Sequence, residues 1–392
     1  MDNSNAVLPE NPQPVVAIVH CKDYEPRRVD ESVAQGISLL GGIETFVKSG
    51  EKILLKPNLL SGKSPDKAVT THPAVFESVA KPFLACGARV HYGDSPGFGK
   101  PSAAARRAGL QAVAESLGID FADFQNGTTI SFPEGKLCKQ FVIAKGVLDS
   151  EGIISLCKMK THALTRITGA IKNQFGCIPG MLKGEFHGRL SKLETFAQML
   201  VDLTAYLKPR LYVMDGITAM EGNGPGNGTP RDTGVLLFST DPVALDAVFC
   251  RMIDLDPQLV ATIVSGKESG LGTYENIRLV GDPIESCMVP DFDVKRDKEL
   301  RGDTLNPFLV PIMRRYVIPR PTIRDERCTR CGTCVAMCPV SPKAVDFPGG
   351  DRDKVPRYDY SLCIRCYCCQ EVCPDNAIEI ETPWPGRLIH RS

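Results

Sequence analysis

Two runs of cysteines with the same spacing lie near the C-terminal end of this sequence. The pattern Cys-x2-Cys-x2-Cys-x3-Cys-Pro occupies residues 328–339 and again residues 363–374. Three thiolates on one tight loop can bind three irons of a cubane, and in two-cluster proteins with this spacing the fourth cysteine of each run binds the other cluster. The repeat therefore predicts two [4Fe-4S] clusters, a chemistry of electron transfer.

In this crossed pairing, each cysteine of the two patterns binds one of the two clusters. The first cluster is predicted to use Cys328, Cys331, Cys334 and Cys373, and the second to use Cys363, Cys366, Cys369 and Cys338. Zinc also binds paired Cys-x2-Cys motifs, but its sites do not show this spacing, and disulfides would strain such short loops. A ninth cysteine, Cys368, is interpreted as a packed free thiol, with a register swap with Cys369 as the alternative.

Charge and composition narrow the class of protein. Among 392 residues, Lys and Arg number 46, Asp and Glu number 46, and 43% are hydrophobic. This balance does not favour nucleic acid or a membrane surface as the main partner. The N-terminal residues lack the basic-then-apolar pattern of a signal peptide, and the apolar runs are shorter than the roughly 20 residues of a membrane span. We therefore expect a cytoplasmic protein with reduced thiols, whose partner is an electron donor or acceptor protein.

The residues ahead of the cysteine runs alternate between two periodicities. Short apolar, β-branched runs occur at residues 15–19, 53–55, 90–92, 141–144, 153–156, 211–214 and 235–238. Helical patterns lie between several of them, for example at residues 29–40 and 193–203. Alternating strands and helices predict an α/β domain with a largely parallel sheet.

Polar residues that follow these strands are candidates for a binding site, because ligands of such sheets bind beyond the carboxyl ends of the strands. The candidates for substrate binding are Lys56, Asn58, Asp94, Ser95, Lys158, Thr161, Lys172, Asn173 and Asp215. Lysines could hold carboxylates or phosphates, and His162 with Lys160 is the candidate catalytic pair, since histidine transfers protons near neutral pH. The glycine-rich residues 222–228 are interpreted as a mobile turn or a lid. Cys157 and Cys177 are interpreted as buried thiols.

Taken together, these motifs resemble the domain-of-unknown-function family 362. The residues that carry the resemblance lie at 56–58, 93–97, 158–162, 168–173, 215–216 and 241–246. The likeness extends over residues 15–255 and 322–382, because members of this family often carry a two-cluster ferredoxin module at the C-terminus. It implies an iron–sulfur protein without naming a reaction. One departure is Cys157, where a proline or another small residue is expected.

The sequence is predicted to divide into four parts. These are an α/β domain at residues 1–300, a proline-rich apolar strap at 301–321, a small α+β ferredoxin-like module with two clusters at 322–382, and a tail at 383–392. The strap contains too many prolines for a long helix and too many apolar residues for a free linker. We expect it to lie against the α/β domain and to hold the module in place.

Three functions are compatible with these features. The first is a ferredoxin-dependent oxidoreductase that passes electrons through two clusters to a small anionic substrate at the strand ends. The second is an electron carrier whose α/β domain only docks a redox partner, and the third is a non-redox enzyme with structural clusters. A closed basic pocket beside a cluster would favour the first function, and a flat apolar surface in its place would favour the second.

Overall fold

The computed structural model of the protein describes residues 13–297 and 316–384. The strands before residue 297 are β1 (Val15–His20), β2 (Lys52–Lys56), β3 (Arg89–Tyr92), β4 (Asp120–Phe121), β5 (Gly127–Ser131), β6 (Gln140–Ala144), β7 (Gly152–His162), β8 (Arg166–Thr168), β9 (Leu211–Glu221), β10 (Thr229–Ser239) and β11 (Arg278–Gly281). Nine of them form one sheet in the order β11-β1-β10-β9-β7-β2-β3-β4, with β8 added to the end of β7.

Parallel pairing dominates one half of this sheet. β7 pairs in parallel with both β2 and β9, and β3 continues the parallel order between β2 and β4. β10 runs antiparallel to both β1 and β9. Every residue of β7 is buried, as is typical of a central strand covered on both faces. The prediction of an α/β domain with a largely parallel sheet is confirmed.

Helices cover both faces of the sheet. They are α1 (Pro26–Leu39), α2 (Pro73–Ala85), α3 (Pro101–Arg107), α4 (Leu110–Ser116), α5 (Lys145–Leu148), α6 (Ala170–Asn173), α7 (Leu182–Arg189), α8 (Leu193–Leu207), α9 (Pro242–Met252) and α10 (Ala261–Glu268). Side chains of α1 and α2 share one apolar cluster with Ile154 and Leu156 of β7. Side chains of α8, α9 and α10 pack on the opposite face, against Ile153 and Met159. The two-residue period of β7 thus divides its side chains between two cores.

The prolines at helix starts behave as their geometry requires. Pro26, Pro73 and Pro242 each occupy the first turn, where a missing amide hydrogen costs nothing. Asp241 accepts hydrogen bonds from the amides of Val243 and Ala244, at 2.8 and 2.9 Å, and so caps α9. One apolar run takes a different place from the other six, because residues 141–144 lie in β6, which pairs only with β5 in a separate hairpin.

The C-terminal module contains two copies of one local fold. Its elements are β12 (Arg320–Ile323), α11 (Thr333–Met337), β13 (Val345–Asp346), β14 (Arg357–Tyr358), α12 (Cys368–Glu371) and β15 (Ile378–Glu381), and β12 pairs with β15. Arg330 and Arg365 occupy matching positions of the two cysteine runs and both adopt positive φ, 59° and 62°. Both loops therefore turn in the same way before their short helices, which makes the sequence repeat a structural repeat.

Most of the predicted strap lies outside the described residues. Its described end is at residues 316–321, where Val317 and Ile318 are buried. The Tyr367 hydroxyl donates a hydrogen bond to the Pro319 carbonyl at 3.0 Å, so this end of the strap is attached to the C-terminal module. Of the tail, Trp384 is described, and 72% of its surface is exposed. Within residues 13–297 and 316–384, no helix combines the length and the apolar character that crossing a bilayer requires.

Candidate functional site

A cavity of about 70 Å³ lies between the carboxyl ends of β2 and β7 and the C-terminal module; we call it the interface cavity. Its polar lining from the α/β domain comprises Asn58, Asp94, Ser95, Lys160, His162, Thr168, Lys172, Asn173, Lys183 and His187. The module contributes Met337, Cys368, Glu371 and Val372. Since a water needs about 10–15 Å³ measured in the same way, the cavity has room for a few waters or one small molecule.

Seven of the residues predicted from sequence line this cavity: Asn58, Asp94, Ser95, Lys160, His162, Lys172 and Asn173. Lys56 lies directly beside them, and its ammonium group is fully engaged. Its Nζ is 2.7 Å from Oδ1 of Asp94 and donates to Oδ1 of Asn173 and to the Pro57 carbonyl, both at 3.0 Å. Lys56 therefore supports Asp94 and Asn173 and has no donor left for a ligand.

Lys158, Asp215 and Thr161 are placed elsewhere. Lys158 and Asp215 form a buried ion pair with 2.7 Å between Nζ and Oδ2, and the Tyr24 hydroxyl bonds to both side chains at 2.9 Å. The pairing of β7 with β9 shifts register between the two lysines, so that Lys158 lies opposite Asp215 and Lys160 lies opposite Met220. The Thr161 hydroxyl donates to the Gly222 carbonyl at 3.0 Å. The structure gives these three residues roles in holding the fold around the cavity.

Lys160 and Lys172, the two cavity lysines predicted from sequence, both retain unused donors. Nζ of Lys160 donates to Oδ1 of Asn58 at 2.8 Å and to the Val69 carbonyl at 2.7 Å, which leaves one of its three hydrogens. Nζ of Lys172 lies over the rings of Phe175 and Phe196, at 4.9 and 5.9 Å, and has no ion pair within the described part of the chain. Burial lowers the pKa of both side chains. An anion in the cavity would relieve the unfavourable burial of these charges.

His162 has a defined proton position. Its Nδ1 accepts hydrogen bonds from the amides of Leu164 and Thr165, at 3.0 and 3.2 Å. The hydrogen of the neutral ring must therefore be on Nε2, which lies 3.0 Å from Oε1 of Glu371. Burial lowers the pKa of His162. Burial also acts to raise the pKa of Glu371, but the interactions with His162 and Lys172 outweigh it and hold that pKa well below its usual range.

Sequence reasoning missed four residues of the cavity: Lys183, His187, Cys368 and Glu371. Lys183 donates to the Ser95 hydroxyl at 2.9 Å and to the Ile178 carbonyl at 2.7 Å, and burial lowers its pKa to about 7. His187 stacks on Phe196 with 4.3 Å between ring centroids, and burial lowers its pKa to about 3. Lys183 and His187 are four residues apart and share one face of α7, which is a signal that the sequence does contain.

Two buried polar atoms at the cavity have neither a hydrogen-bond partner nor an ion-pair contact in the described residues. They are Oγ1 of Thr168 and Nδ1 of His187, and both residues are only 4% exposed. Buried polar atoms are nearly always paired with protein or water, so such atoms at a cavity indicate a bound species. Together with Lys172, these atoms can donate hydrogen bonds to the oxygens of a small anion. The lysines of the site also outnumber Asp94 and Glu371, which leaves a positive charge.

Two further cavities are lined by the predicted cluster ligands. One is lined by Cys328, Cys331, Cys334 and Cys373, and the other by Cys338, Cys363, Cys366 and Cys369. The structure thus groups the thiols in the crossed pairing. No three His, Cys, Asp or Glu residues of the described chain surround a point as ligands of a single ion would. A cubane spreads its four thiolates over four irons, so these two wider groups of sulfurs fit it.

The glycine-rich residues 222–228, predicted as a mobile turn or a lid, contact the C-terminal module. Nε2 of Gln370 donates to the Asn223 carbonyl at 3.0 Å, and Nδ2 of Asn227 donates to the Gln370 carbonyl at 3.1 Å. A side chain at Gly224 would place its Cβ 2.2 Å from the Thr161 carbonyl oxygen. The glycines therefore allow a close fit between β7 and α12, and we call residues 222–228 the docking loop.

Comparison with known proteins gives two matching families. The model of the family described as "Domain of unknown function (DUF362)" matches residues 53–251. The model of the 4Fe-4S dicluster domain matches residues 320–374, which include all eight predicted cluster ligands. The two matches coincide with the α/β domain and with the C-terminal module.

Individual proteins resemble one or the other part. Thylakoid-associated protein sll1697 of Synechocystis is 35% identical over 257 residues, which are 65% of this chain and 79% of that protein. Pyruvate synthase subunit PorD of Methanocaldococcus jannaschii is 34% identical over 59 residues, 15% of this chain and 63% of that subunit.

Two solved structures show a weak likeness. A protein from Thermotoga maritima has a TM-score of 0.35 at 12% identity, and it aligns with 65% of this chain and 61% of its own. The lactate racemase apoprotein from Thermoanaerobacterium thermosaccharolyticum has a TM-score of 0.40 at 10% identity, over 62% of this chain and 57% of its own. This chain spans less than two thirds of either structure.

Proposed function

Because this chain belongs to the DUF362 family and carries a 4Fe-4S dicluster domain, we propose that it is an oxidoreductase that delivers electrons to a small anion in the interface cavity. The role of the C-terminal module in iron–sulfur electron transfer rests on the dicluster match and on the likeness to PorD. The enzymatic part of the proposal rests on the cavity. We place the protein in a reducing, cytoplasmic compartment, since clusters and free thiols persist there.

The proposal rests on one observation: residues of a predicted cluster-binding loop form part of the cavity wall. Cys368, Glu371 and Val372 line the interface cavity, and they alternate along the chain with the predicted ligands Cys366, Cys369 and Cys373. The facing wall is cationic and contains unpaired donors. A recessed basic cavity at this position favours an enzyme, because a carrier needs only a surface on which a partner can dock.

In the proposed reaction, different residues of the chain have different roles. Each [4Fe-4S] cluster, when bound, supplies one low-potential electron that originates from an electron-donor protein. Lys172, Thr168 and His187 would bind and orient the oxygens of the anion. A two-electron reduction of this anion takes up two protons, and two groups can give them: the ammonium groups of Lys160 and Lys183, each of which keeps one hydrogen that the fold does not use. The neutral ring of His162 keeps its proton on Nε2 and holds Glu371 in place. Water would return both protons after product release.

The site is tested first by binding. Protein prepared without oxygen and containing its clusters is titrated calorimetrically with acetate, bicarbonate and inorganic phosphate. At least one anion should bind, and Lys172→Met should weaken that binding at least tenfold, because it removes the unpaired ammonium group. Lys67→Met is the matched control, since the Lys67 side chain is 61% exposed and remote from the cavity lining.

The reaction is tested with the same preparation after reduction. Rapid mixing of the reduced protein with small oxidised anions, such as nitrite, sulfite and bicarbonate, should reoxidise the clusters with at least one of them. Lys172→Met and Lys160→Met should slow this reoxidation at least tenfold, and Lys67→Met should leave its rate unchanged. Wild-type protein that binds none of the anions, or a Lys172→Met variant that binds them as tightly as the wild type, would favour the electron-carrier function instead.

A further inference from the structure

The lining of the interface cavity is polar in one part and apolar in another. The groups that can still donate to a ligand belong to Lys172, Thr168 and His187, all at most 9% exposed. Four apolar side chains also line the cavity: Leu60, Pro225, Met337 and Val372. A ligand that fills the cavity therefore contacts both hydrogen-bond donors and hydrocarbon.

The apolar residues come from separate segments that meet in one place. The Gly97 amide donates to the Leu60 carbonyl at 2.9 Å, and a Cβ at Gly97 would lie 3.3 Å from Cγ1 of Val372. A Cβ at Gly226, the residue after Pro225, would lie 3.5 Å from Cδ2 of Leu60. Leu60, Gly97, Pro225 and Val372 thus form one continuous surface, which we call the apolar patch.

The apolar patch lies nearer to solvent than the unpaired donors. Leu60 and Gly97 are partly exposed, and Phe98 beside them is 45% exposed. The three residues with donors to offer are buried. A ligand that enters beside the apolar patch would reach the donors with its leading end and leave its trailing end against hydrocarbon.

We propose that the ligand of the interface cavity is a short-chain monocarboxylate, whose carboxylate binds Lys172, Thr168 and His187 and whose chain lies against the apolar patch. This inference rests on the proposed function, since it takes the same cavity and the same donors to bind the anion. The cavity of about 70 Å³ holds about five to seven water-sized atoms, which corresponds to a monocarboxylate of about three to five carbons.

The apolar patch discriminates against other small anions. An inorganic oxyanion such as phosphate has oxygens on every side, and a dicarboxylate has a charge at each end. In either case oxygens would face Leu60 and Val372, whose side chains have no hydrogen to donate. Burying a charged oxygen without a partner is unfavourable, whereas a hydrocarbon chain in the same place leaves water favourably.

The proposal is tested by calorimetric titration of cluster-containing protein, prepared without oxygen, with saturated acids that bind without being reduced. From acetate to propionate to butyrate, affinity should rise about fourfold for each methylene, and thus more than tenfold in all. Beyond pentanoate it should rise no further, because additional carbons lie outside the cavity. Succinate, which has four carbons like butyrate but two carboxylates, should bind at least tenfold more weakly than butyrate.

A substitution in the apolar patch tests where the chain lies. Leu60 adopts a positive φ of 46°, a conformation that asparagine tolerates, so Leu60→Asn exchanges an apolar side chain for an amide at little cost to the backbone. The preference of this variant for butyrate over acetate should fall below threefold. Leu137→Asn is the matched control, since Leu137 is 41% exposed and absent from the cavity lining.

The outcomes separate this inference from the proposed function. Wild-type protein that binds acetate as tightly as butyrate, or binds phosphate or succinate more tightly than butyrate, would overturn the monocarboxylate and leave the anion site intact. A Leu60→Asn variant with the full preference for butyrate would overturn the placement of the chain. Wild-type protein that binds none of these anions would overturn the anion site itself.

Discussion

The lysines at the strand ends differ in whether their charge is available to bind a ligand. Lys158 is neutralised by Asp215 and Lys56 by Asp94, so neither has a charge to offer a ligand. Lys172 is buried over two aromatic rings, and the described residues provide no carboxylate within ion-pair distance of it. A buried unpaired charge destabilises the fold and is retained where it binds something. This contrast predicts opposite effects for the same substitution at Lys158 and Lys172.

Replacing Lys158 by Met should lower the free energy of unfolding by about 3 kcal/mol or more, because it leaves Asp215 buried without its counter-ion. Lys172→Met should leave stability unchanged or raise it, while it weakens anion binding. Urea denaturation under anaerobic conditions, followed by circular dichroism, measures both effects. Equal losses of stability in the two variants would show that Lys172 has a structural partner.

The pH dependence of stability should report on Lys183. Burial lowers its pKa to about 7 in the folded protein, whereas the pKa of a lysine in the unfolded chain is about 10.4. Between these values the unfolded chain binds more protons, so the contribution of Lys183 to stability rises with pH and is lost as the pH falls through about 7. From pH 7 to pH 9 the urea midpoint of the wild type should therefore rise relative to that of Lys183→Met. A constant difference between the two proteins would show that Lys183 is charged throughout this range.

At the scale of elements, the site depends on the fit between the docking loop and α12. The docking loop follows β9, and its contacts with Gln370 bring α12 to the end of β7. Lys63 adds a second attachment, since its Nζ donates to the Gly226 carbonyl at 2.9 Å and to the side chain of Asn376. His162 on β7 and Glu371 on α12 meet only because these backbones approach closely.

Gly224→Ala should loosen the C-terminal module, because its Cβ would lie 2.2 Å from the Thr161 carbonyl oxygen, which is backbone and cannot give way. Hydrogen–deuterium exchange of α12 should become at least tenfold faster. Gly184→Ala is the matched control for docking, since a Cβ at that helical position meets nothing within 4 Å. Exchange of α12 at the wild-type rate in Gly224→Ala would mean that the docking loop does not hold the module.

At the scale of the whole molecule, the two groups of cysteines lie at different depths. Cys331 of the first group is exposed, whereas Cys338, Cys363 and Cys369 of the second group are buried. The second group adjoins the interface cavity through α12. Since Cys334 is the buried member of the first group and Cys366 the partly exposed member of the second, this difference in depth is one of degree, and it favours an order of first cluster, second cluster and cavity from the surface inward. An electron donor would meet the first cluster, and the substrate would lie nearest the second.

The crossed pairing makes a specific prediction for Cys338, which lies in the first run but is expected to bind the second cluster. Cys338→Ser should lose the second cluster and retain the first, so iron should fall from about eight to about four atoms per chain. Cys373→Ser should lose the first cluster instead. Iron analysis gives the number of clusters that each variant retains, and electron paramagnetic resonance of the reduced variants identifies the remaining cluster by comparison with Cys328→Ser, which should lose the first cluster. A Cys338→Ser spectrum that matches the Cys328→Ser spectrum would indicate uncrossed pairing.

Features that depend on short stretches of sequence could be predicted. The spacing of Cys328, Cys331 and Cys334 is a property of one loop, so the sequence predicts the iron–sulfur chemistry of that loop without knowledge of the fold. The α/β class followed from local periodicity in the same way. The contacts of the docking loop could not be predicted, because its glycines indicate flexibility locally and Gln370, which bonds to the loop, comes from a distant segment.

The sequence alone determined the kind of cofactor and the kind of sheet, because both follow from spacing and periodicity within a few residues. Only the tertiary structure decided which lysines keep a charge, which proton His162 carries and where Cys368 points. Those properties depend on pairs such as Lys158 with Asp215 and His162 with Glu371, which lie far apart in the chain. The electrostatics of a buried group are set by its neighbours in space, and the fold determines which neighbours those are.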